Sequence, residues 1–257
     1  MRRKIRSVTI WRIIIAFLLL CIVGMLGFLG YEWWILRKAK MIRYDAFGIE
    51  IPENYTIHGI DVSRYQQLID WESVKAMAVS DIKIDFAFIK ATEGVGNIDP
   101  FFKRNWKKSR EAQMVRGAYH FFLATKSGKA QAENYIARVE LQSGDLPPVL
   151  DVEQTYGVSG IKLRQRVKEW LSTVEAFYGV KPILYTNVDF YKQYLKSEFD
   201  DYPLWVAHYL QRDKPRIVRD WYFWQHSEDG RVNGILSKVD FNVFSGDSLA
   251  FSKLLLP

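Results

Sequence analysis

The segment PPVLDVEQ, Pro147 to Gln154, ends an apolar run with two carboxylates two positions apart. Side chains alternate faces along a strand, so Asp151 and Glu153 must share one surface, where like charges raise each other's pKa. Asp61 in HGIDVS and Asp240 in VDFNVF stand in similar apolar settings. Four such acids around one pocket, with no cysteine nucleophile and no Gly-rich phosphate loop, suit acid-catalysed cleavage of a glycosidic bond. One carboxyl must then keep its proton at neutral pH, and crowding by other carboxylates can arrange that. The competing explanation for each acid taken alone is a structural ion pair with Arg or Lys.

Aromatic residues make up 15% of the chain, and Tyr119, Tyr185, Trp205, Tyr209 and Trp224 sit at or near the same apolar runs, beside Gln225. Their ring faces could stack on sugar rings, so these six are the expected substrate-binding residues. A metal hydrolase is the main chemical rival. It would need converging imidazoles, but His58, His120, His208 and His226 lie on separate runs and no H-E-x-x-H occurs. The histidines are expected as hydrogen-bonded parts of the same mouth, with no metal or other cofactor.

The elements that must position these residues follow a rhythm. Eight strand candidates cover residues 58–63, 86–94, 116–122, 148–153, 182–187, 204–209, 221–227 and 239–244. Helical patterns fill the earlier gaps, at 71–79, 101–114, 128–141, 161–178 and 188–195, whereas the last two gaps are short and carry turn residues. The pattern predicts an α/β fold, an irregular β/α barrel of eight strands and about five helices. An open doubly wound sheet is the alternative, weakened by the missing phosphate loop. In a barrel of parallel strands the C-terminal strand ends form the mouth, and the first and last strands adjoin. Asp61 and Asp240 should therefore meet, facing Asp151 and Glu153.

The net charge of +7 is unevenly placed. Residues 1–43 hold nine basic side chains and one acid, Glu32, leaving 27 basic against 28 acidic residues in the remainder. The folded part is thus not basic, and nucleic acid is dropped as a partner. Ile13 to Tyr31 is free of charge and as a helix would span roughly 28 Å, about one bilayer core. Trp33 and Trp34 follow at the expected far interface, with Arg37 and Lys38 beyond. A cleaved signal peptide is the other reading, but the run is long and no A-x-A-like site follows it. Cys21, the only cysteine, lies in the apolar run and is expected to face lipid.

The expected layout is a basic cytoplasmic tail at 1–12, a transmembrane signal anchor at 13–36, a stalk at 37–55 and a catalytic barrel at 56–257. The protein would be single-pass in the cell membrane, N-terminus inside and barrel outside, with the lipid bilayer as one partner. Tyr44, Phe47 and Ile49 within the stalk could equally pack on the barrel.

The runs GIDVSRYQ with IDW (Gly59 to Trp71), FAFIKATEG, DPFF, GAYHFF, LDVE, PILYTN, LWVAHY, WQHS and VDFNVF, in this order, resemble the glycoside hydrolase family 25 lysozymes over nearly all of residues 57–245. The resemblance implies a β/α-barrel muramidase that cuts the β-1,4 bond between N-acetylmuramic acid and N-acetylglucosamine, with peptidoglycan glycan strands as partner. It carries the family's acidic quartet onto Asp61, Asp151, Glu153 and Asp240. Glu153 resembles the general acid, and Asp151 the group that orients the substrate's 2-acetamido oxygen for attack on the anomeric carbon. Asp61 and Asp240 resemble residues that tune charge and hold the sugar. Departures are His208, where the family often has Gln, and the aromatic run Trp221 to Trp224. A catalytically silent glycan-binding protein on the same barrel is the second functional reading.

Overall fold

The computed structural model describes residues 2–36, 40–209 and 211–257, in two compact units, 1–40 and 41–257. The first unit is built on one helix, α1 (Arg2–Leu36). Its stretch Trp11–Trp33 has a mean hydropathy of 2.9 and none of it is buried, so it is long and apolar enough to cross a membrane. Cys21 is exposed on this helix. The side chains of Arg2, Arg3, Lys4, Arg6 and Trp34, and the whole of Arg37 and Lys38, lie outside the described residues.

The second unit begins with an antiparallel hairpin, β1 (Met41–Tyr44) and β2 (Ile49–Pro52). The expected stalk is therefore corrected from Met41 onward. Phe47 and Ile51 are fully buried, the Phe47 ring packs edge-on against Phe241 at 5.3 Å, and the Arg231 N–H donates to the Phe47 carbonyl at 2.8 Å. Burying two large apolar side chains gives this segment a reason to dock that a solvated stalk would lack.

Then follow β3 (His58–Val62), α2 (Trp71–Ala76), β4 (Ala78–Val79), β5 (Ile82–Glu93), β6 (Asn97–Ile98), α3 (Phe102–Glu111), β7 (Val115–Phe121) and α4 (Gly128–Ile136). The chain continues through β8 (Val149–Asp151), α5 (Gly160–Tyr178), β9 (Ile183–Asn187), α6 (Val188–Phe190), β10 (Leu204–Ala207), β11 (Phe223–Gly230), β12 (Val239–Phe244) and α7 (Ser248–Leu254). Eight strands close a barrel in the order β3-β12-β11-β10-β9-β8-β7-β5, with β5 pairing back to β3. Helix starts carry their own caps: Asp70, Ser127, Ser159 and Asp247 each accept from a backbone N–H three residues on.

One strand departs from the expected parallel barrel. β12 runs antiparallel to both β11 and β3. Residues 231–238 are too few for a helical crossover, so the chain can only turn back on itself. Asp240 consequently lies near the start of its strand, not at the C-terminal end, and the reversal still delivers it to the same rim as Asp61.

Period-two alternation divides the strand side chains into two layers. Inward go Phe86, Phe88, Tyr119, Val149, Ile183, Tyr185, Trp205, Phe223 and Phe244; outward residues such as Ile60, Ala118, Leu150, Leu184 and Val206 pack under the helices. The interior is an aromatic plug. Phe251 of α7, an element with no counterpart in the sequence reading, adds its ring to Phe244 at 5.2 Å and Phe86 at 5.7 Å. Gly59 and Gly117 make room for it: a Cβ would stand 2.4 Å from the Phe86 ring and 2.6 Å from the Phe88 ring.

Candidate active site

Above the plug, inward residues become polar. Asp151 follows Val149 on the inner face of β8, and Glu153 follows Asp151 just past the strand end. On the far side, Asp240 of β12 is the direct register partner of Asp61 of β3. The four acids expected to converge do so: the charge of Glu153 is felt at Asp61, Asp151 and Asp240.

Asp61 is tightly held. Its Oδ2 accepts from Gln225 Nε2 and Asn242 Nδ2, both at 2.8 Å. Each amide is itself oriented from behind. The hydroxyls of Tyr185 and Tyr209 both donate to Gln225 Oε1 at 2.7 Å, and Trp205 Nε1 donates to Asn242 Oδ1 at 2.8 Å. With their oxygens occupied, both amides present N–H groups to Asp61. Burial raises the Asp61 pKa to about 6, and these two donors limit the rise. Asp240 goes up to about 9, through burial first and then the Asp61 charge and hydrogen bond. At neutral pH the pair shares a proton, because burial and the mutual charge oppose ionising both acids.

Asp151 contrasts with this. It is buried, yet its Oδ1 has no hydrogen-bond partner. Burial, followed by the Glu153 charge, pushes its pKa well up, and the Lys90 ammonium opposes the rise. Glu153, which is partly exposed, is also raised by burial, while the neighbouring Tyr185 hydroxyl and the charge of Lys90 pull it down. A pair of this kind titrates jointly and retains a proton above the ordinary carboxylate range. Glu153 is the member open to the mouth.

The expected sugar-facing residues divide. Tyr119, Tyr185 and Trp205 are at most 9% exposed and form the floor; Trp205 stacks on Phe88 at 4.4 Å and tilts against Tyr185 at 4.3 Å. Gln225 is buried as the relay to Asp61. Tyr209 keeps 36% exposure and offers a ring to the opening. Trp224 is a correction. One residue from the inward Gln225, it faces outward, fully buried, with Nε1 donating to the His208 carbonyl at 2.9 Å and Tyr55 and Trp221 around it.

The histidines are corrected by the same alternation. His120 points outward and stacks on Trp170 of α5 while its ring nitrogens meet Thr92 and Gln131. His226 is outward beside Phe241, with no partner on either ring nitrogen, and burial lowers its pKa to about 3. His208 accepts from the Arg216 N–H. Among the described residues no group of three or more His, Cys, Asp or Glu could hold a metal ion.

Four residues at the mouth escaped the sequence reading. Asn242 shares a face with Asp240 by the i, i+2 rule applied to Asp151 and Glu153, so its signal was present. Lys90 continues the inward series Phe86, Phe88, and pairs with Glu93 at 2.7 Å. Tyr65 (69% exposed), in the single 3-10 turn Arg64–Gln66, and Tyr156 (43% exposed), on a loop, lie where no periodicity announces them. Tyr156 feels the charges of Glu93, Asp151 and Glu153, and Tyr65 those of Lys90 and Glu93.

A closed β/α barrel with two carboxylate pairs across its mouth has the architecture and acid content of a glycoside hydrolase. Comparison with known proteins agrees. The sequence model described as Glycosyl hydrolases family 25 matches residues 60–235, and the chain belongs to that family. It is 50% identical over 201 residues to the YegX protein of Escherichia coli, covering 78% of this chain and 74% of that protein. Lysozyme M1 of Streptomyces globisporus is 34% identical over 207 residues, covering 75% of this chain and 69% of the lysozyme. The solved family 25 glycosyl hydrolase of Bacillus anthracis superposes with a TM-score of 0.74 at 32% identity, over 80% of this chain and 96% of that one.

Proposed function

We propose that this chain is a membrane-anchored muramidase that cuts the β-1,4 bond between N-acetylmuramic acid and N-acetylglucosamine during remodelling of a bacterial wall. Family membership supports peptidoglycan hydrolysis in general; the observation that carries the finer reading is the Asp151–Glu153 pair, one member open to the mouth and the other with an unpartnered oxygen. Glu153 donates its proton to the glycosidic oxygen. The carbonyl oxygen of the substrate's 2-acetamido group attacks the anomeric carbon as the bond to the leaving sugar breaks. Glu153, now a carboxylate, takes a proton from the water that opens this intermediate, and configuration is retained. This is substrate assistance, one of the exceptions to the two-carboxylate scheme.

Asp151 accepts the acetamido N–H through its free oxygen. Asp151 is the more deeply buried acid of the two. A donor arriving from the substrate favours its ionised form and leaves the proton of the pair on Glu153, where the reaction needs it. Asp61 and Asp240 carry the charge balance on the opposite side, and Tyr209 contacts the sugar. The apolar helix α1 anchors the barrel in the cell membrane with the N-terminus cytoplasmic and the barrel outside.

The test uses full-length protein in detergent on purified peptidoglycan in EDTA, with mass spectrometry of borohydride-reduced products. Reduced muramic acid ends, absent with Glu153→Gln, are the expected result. Reduced glucosamine ends would overturn the bond assignment. Binding of glycan without cleavage, on walls that another muramidase digests, would favour the silent glycan-binding reading.

A further inference from the structure

The end of the barrel opposite the acids carries a surface that the reaction leaves unused. Strands run from this base toward the mouth, so Tyr55 before β3, Tyr222 before β11 and Phe244 at the end of the reversed β12 all mark it. With Lys214, Val218 and Ala250 they line a cavity of about 470 Å³. The surface around it is apolar: Val218 is fully exposed, Leu249, next to Ala250, is 62% exposed, and Tyr222 is 39% exposed.

Helix α7 presents part of that surface. Phe251 enters the aromatic plug and Leu254 packs against it. Leu249 and Lys253 each stand roughly 160° around the helix from Phe251, and both are exposed. Lys253 and Lys214 make no ion pair among the described residues. Arg219, in the cavity wall, is already committed to Asp200 at 3.3 Å and to the Phe199 carbonyl at 3.0 Å. The opposing acids are Asp220, also in the wall, and Asp247, which caps α7.

The chain also enters this unit at the base. Met41 is the register partner of Pro52, three residues before Tyr55. Only residues 34–40 separate Met41 from Trp33, the end of the apolar stretch, a reach of at most roughly 28 Å.

We infer that the base docks on the headgroup layer of the membrane, with Val218, Tyr222 and Leu249 entering the lipid boundary and Lys214 and Lys253 meeting lipid phosphates, so that the mouth opens away from the bilayer. The inference rests on the membrane-anchored reading above. Three apolar side chains are too few to hold a free protein on a bilayer. A tether this short keeps them at roughly millimolar effective concentration, where a weak contact is enough to set orientation. Tyrosine favours the boundary between lipid and water, and anionic lipid attracts lysine. The carboxylates of the mouth are repelled by the same lipid, so both ends of the barrel favour one orientation.

The test reconstitutes the full chain, carrying Cys21→Ser, in vesicles of phosphatidylethanolamine and phosphatidylglycerol. Val218→Cys, Leu249→Cys and Leu236→Cys are labelled singly with a fluorophore; Leu236, fully exposed in the 231–238 turn at the mouth, is the reference. Lipid carrying a headgroup quencher is expected to quench the two base sites at least about 3-fold more than Leu236. Lys214→Glu with Lys253→Glu, and high salt, should reduce that difference, while cleavage of soluble glycan in detergent stays unchanged. Equal or absent quenching at all three sites overturns the inference. So does shielding of the base sites from an aqueous quencher without quenching by lipid, the sign of a second copy or another protein on this face. Failure of the anchor reading is scored separately, because alkaline carbonate releases a chain held only by docking and leaves a spanning helix in place. A chain that shows the quenching pattern and is then released by carbonate would sink the anchor and leave the docking face standing.

Discussion

The mouth contains two carboxylate pairs built in opposite ways. Asp151 and Glu153 come from a single strand end, and Asp61 and Asp240 from two strands that meet only when the barrel closes. The second pair is wired: Asp61 has two amide donors, each locked from behind by Tyr185, Tyr209 or Trp205. The first is left open, with an oxygen of Asp151 unpartnered and Glu153 partly exposed. A buried polar atom without a partner costs stability, commonly about 1–3 kcal/mol. Satisfied acids hold their charge in place, and unsatisfied acids remain available to a ligand. That difference is the physical ground for assigning proton transfer to one pair and charge balance to the other.

The comparison breaks most visibly at Glu153. Glu153→Gln is expected to lower kcat on peptidoglycan by about 10³-fold, within the range for removal of a general acid, with circular dichroism unchanged. Asp61→Asn should cost clearly less, since the amide can still hydrogen-bond within its network; equal losses would mean that the wired pair also does chemistry. Replacing Gln225 by Leu removes a donor that limits the pKa of Asp61. That pKa should then rise above about 6, and the acid limb of the kcat/KM profile should move to higher pH.

A smaller effect concerns stability. Asp240 is raised from 3.8 to about 9, so the folded chain holds a proton that the unfolded chain releases above about pH 4. Its favourable contribution is complete below that pH and is lost as pH rises toward 9. Asp240→Asn should flatten the fall in Tm between pH 5 and 8.5, at roughly 2–4 °C per kcal/mol. A wild-type Tm that does not fall over this range would argue against a shared proton. Smallest of all, His226→Phe should leave activity intact and raise stability by about 1 kcal/mol, because it replaces an orphaned buried imidazole with an apolar ring.

Much of this was legible before folding. Asp151 and Glu153 share a face by strand periodicity alone, and the eight apolar runs count the barrel strands. The same rule, applied further, would have found Asn242 from Asp240 and Lys90 from Phe86 and Phe88, and would have turned Trp224 outward once Gln225 was placed inward. Other features had no local signal. The docked 41–52 hairpin, the reversed β12 and the α7 ring in the plug depend on which surfaces remain uncovered after the barrel closes.

The sequence by itself thus determined the residue types at the mouth and the alternation that sorts them, because side-chain direction along a strand is a property of the backbone. Only the tertiary structure decided that Asp61 and Asp240 meet as register partners and that two amides orient Asp61. Those facts depend on distances between distant parts of the chain, and on burial, which sets the strength of every charge in the site.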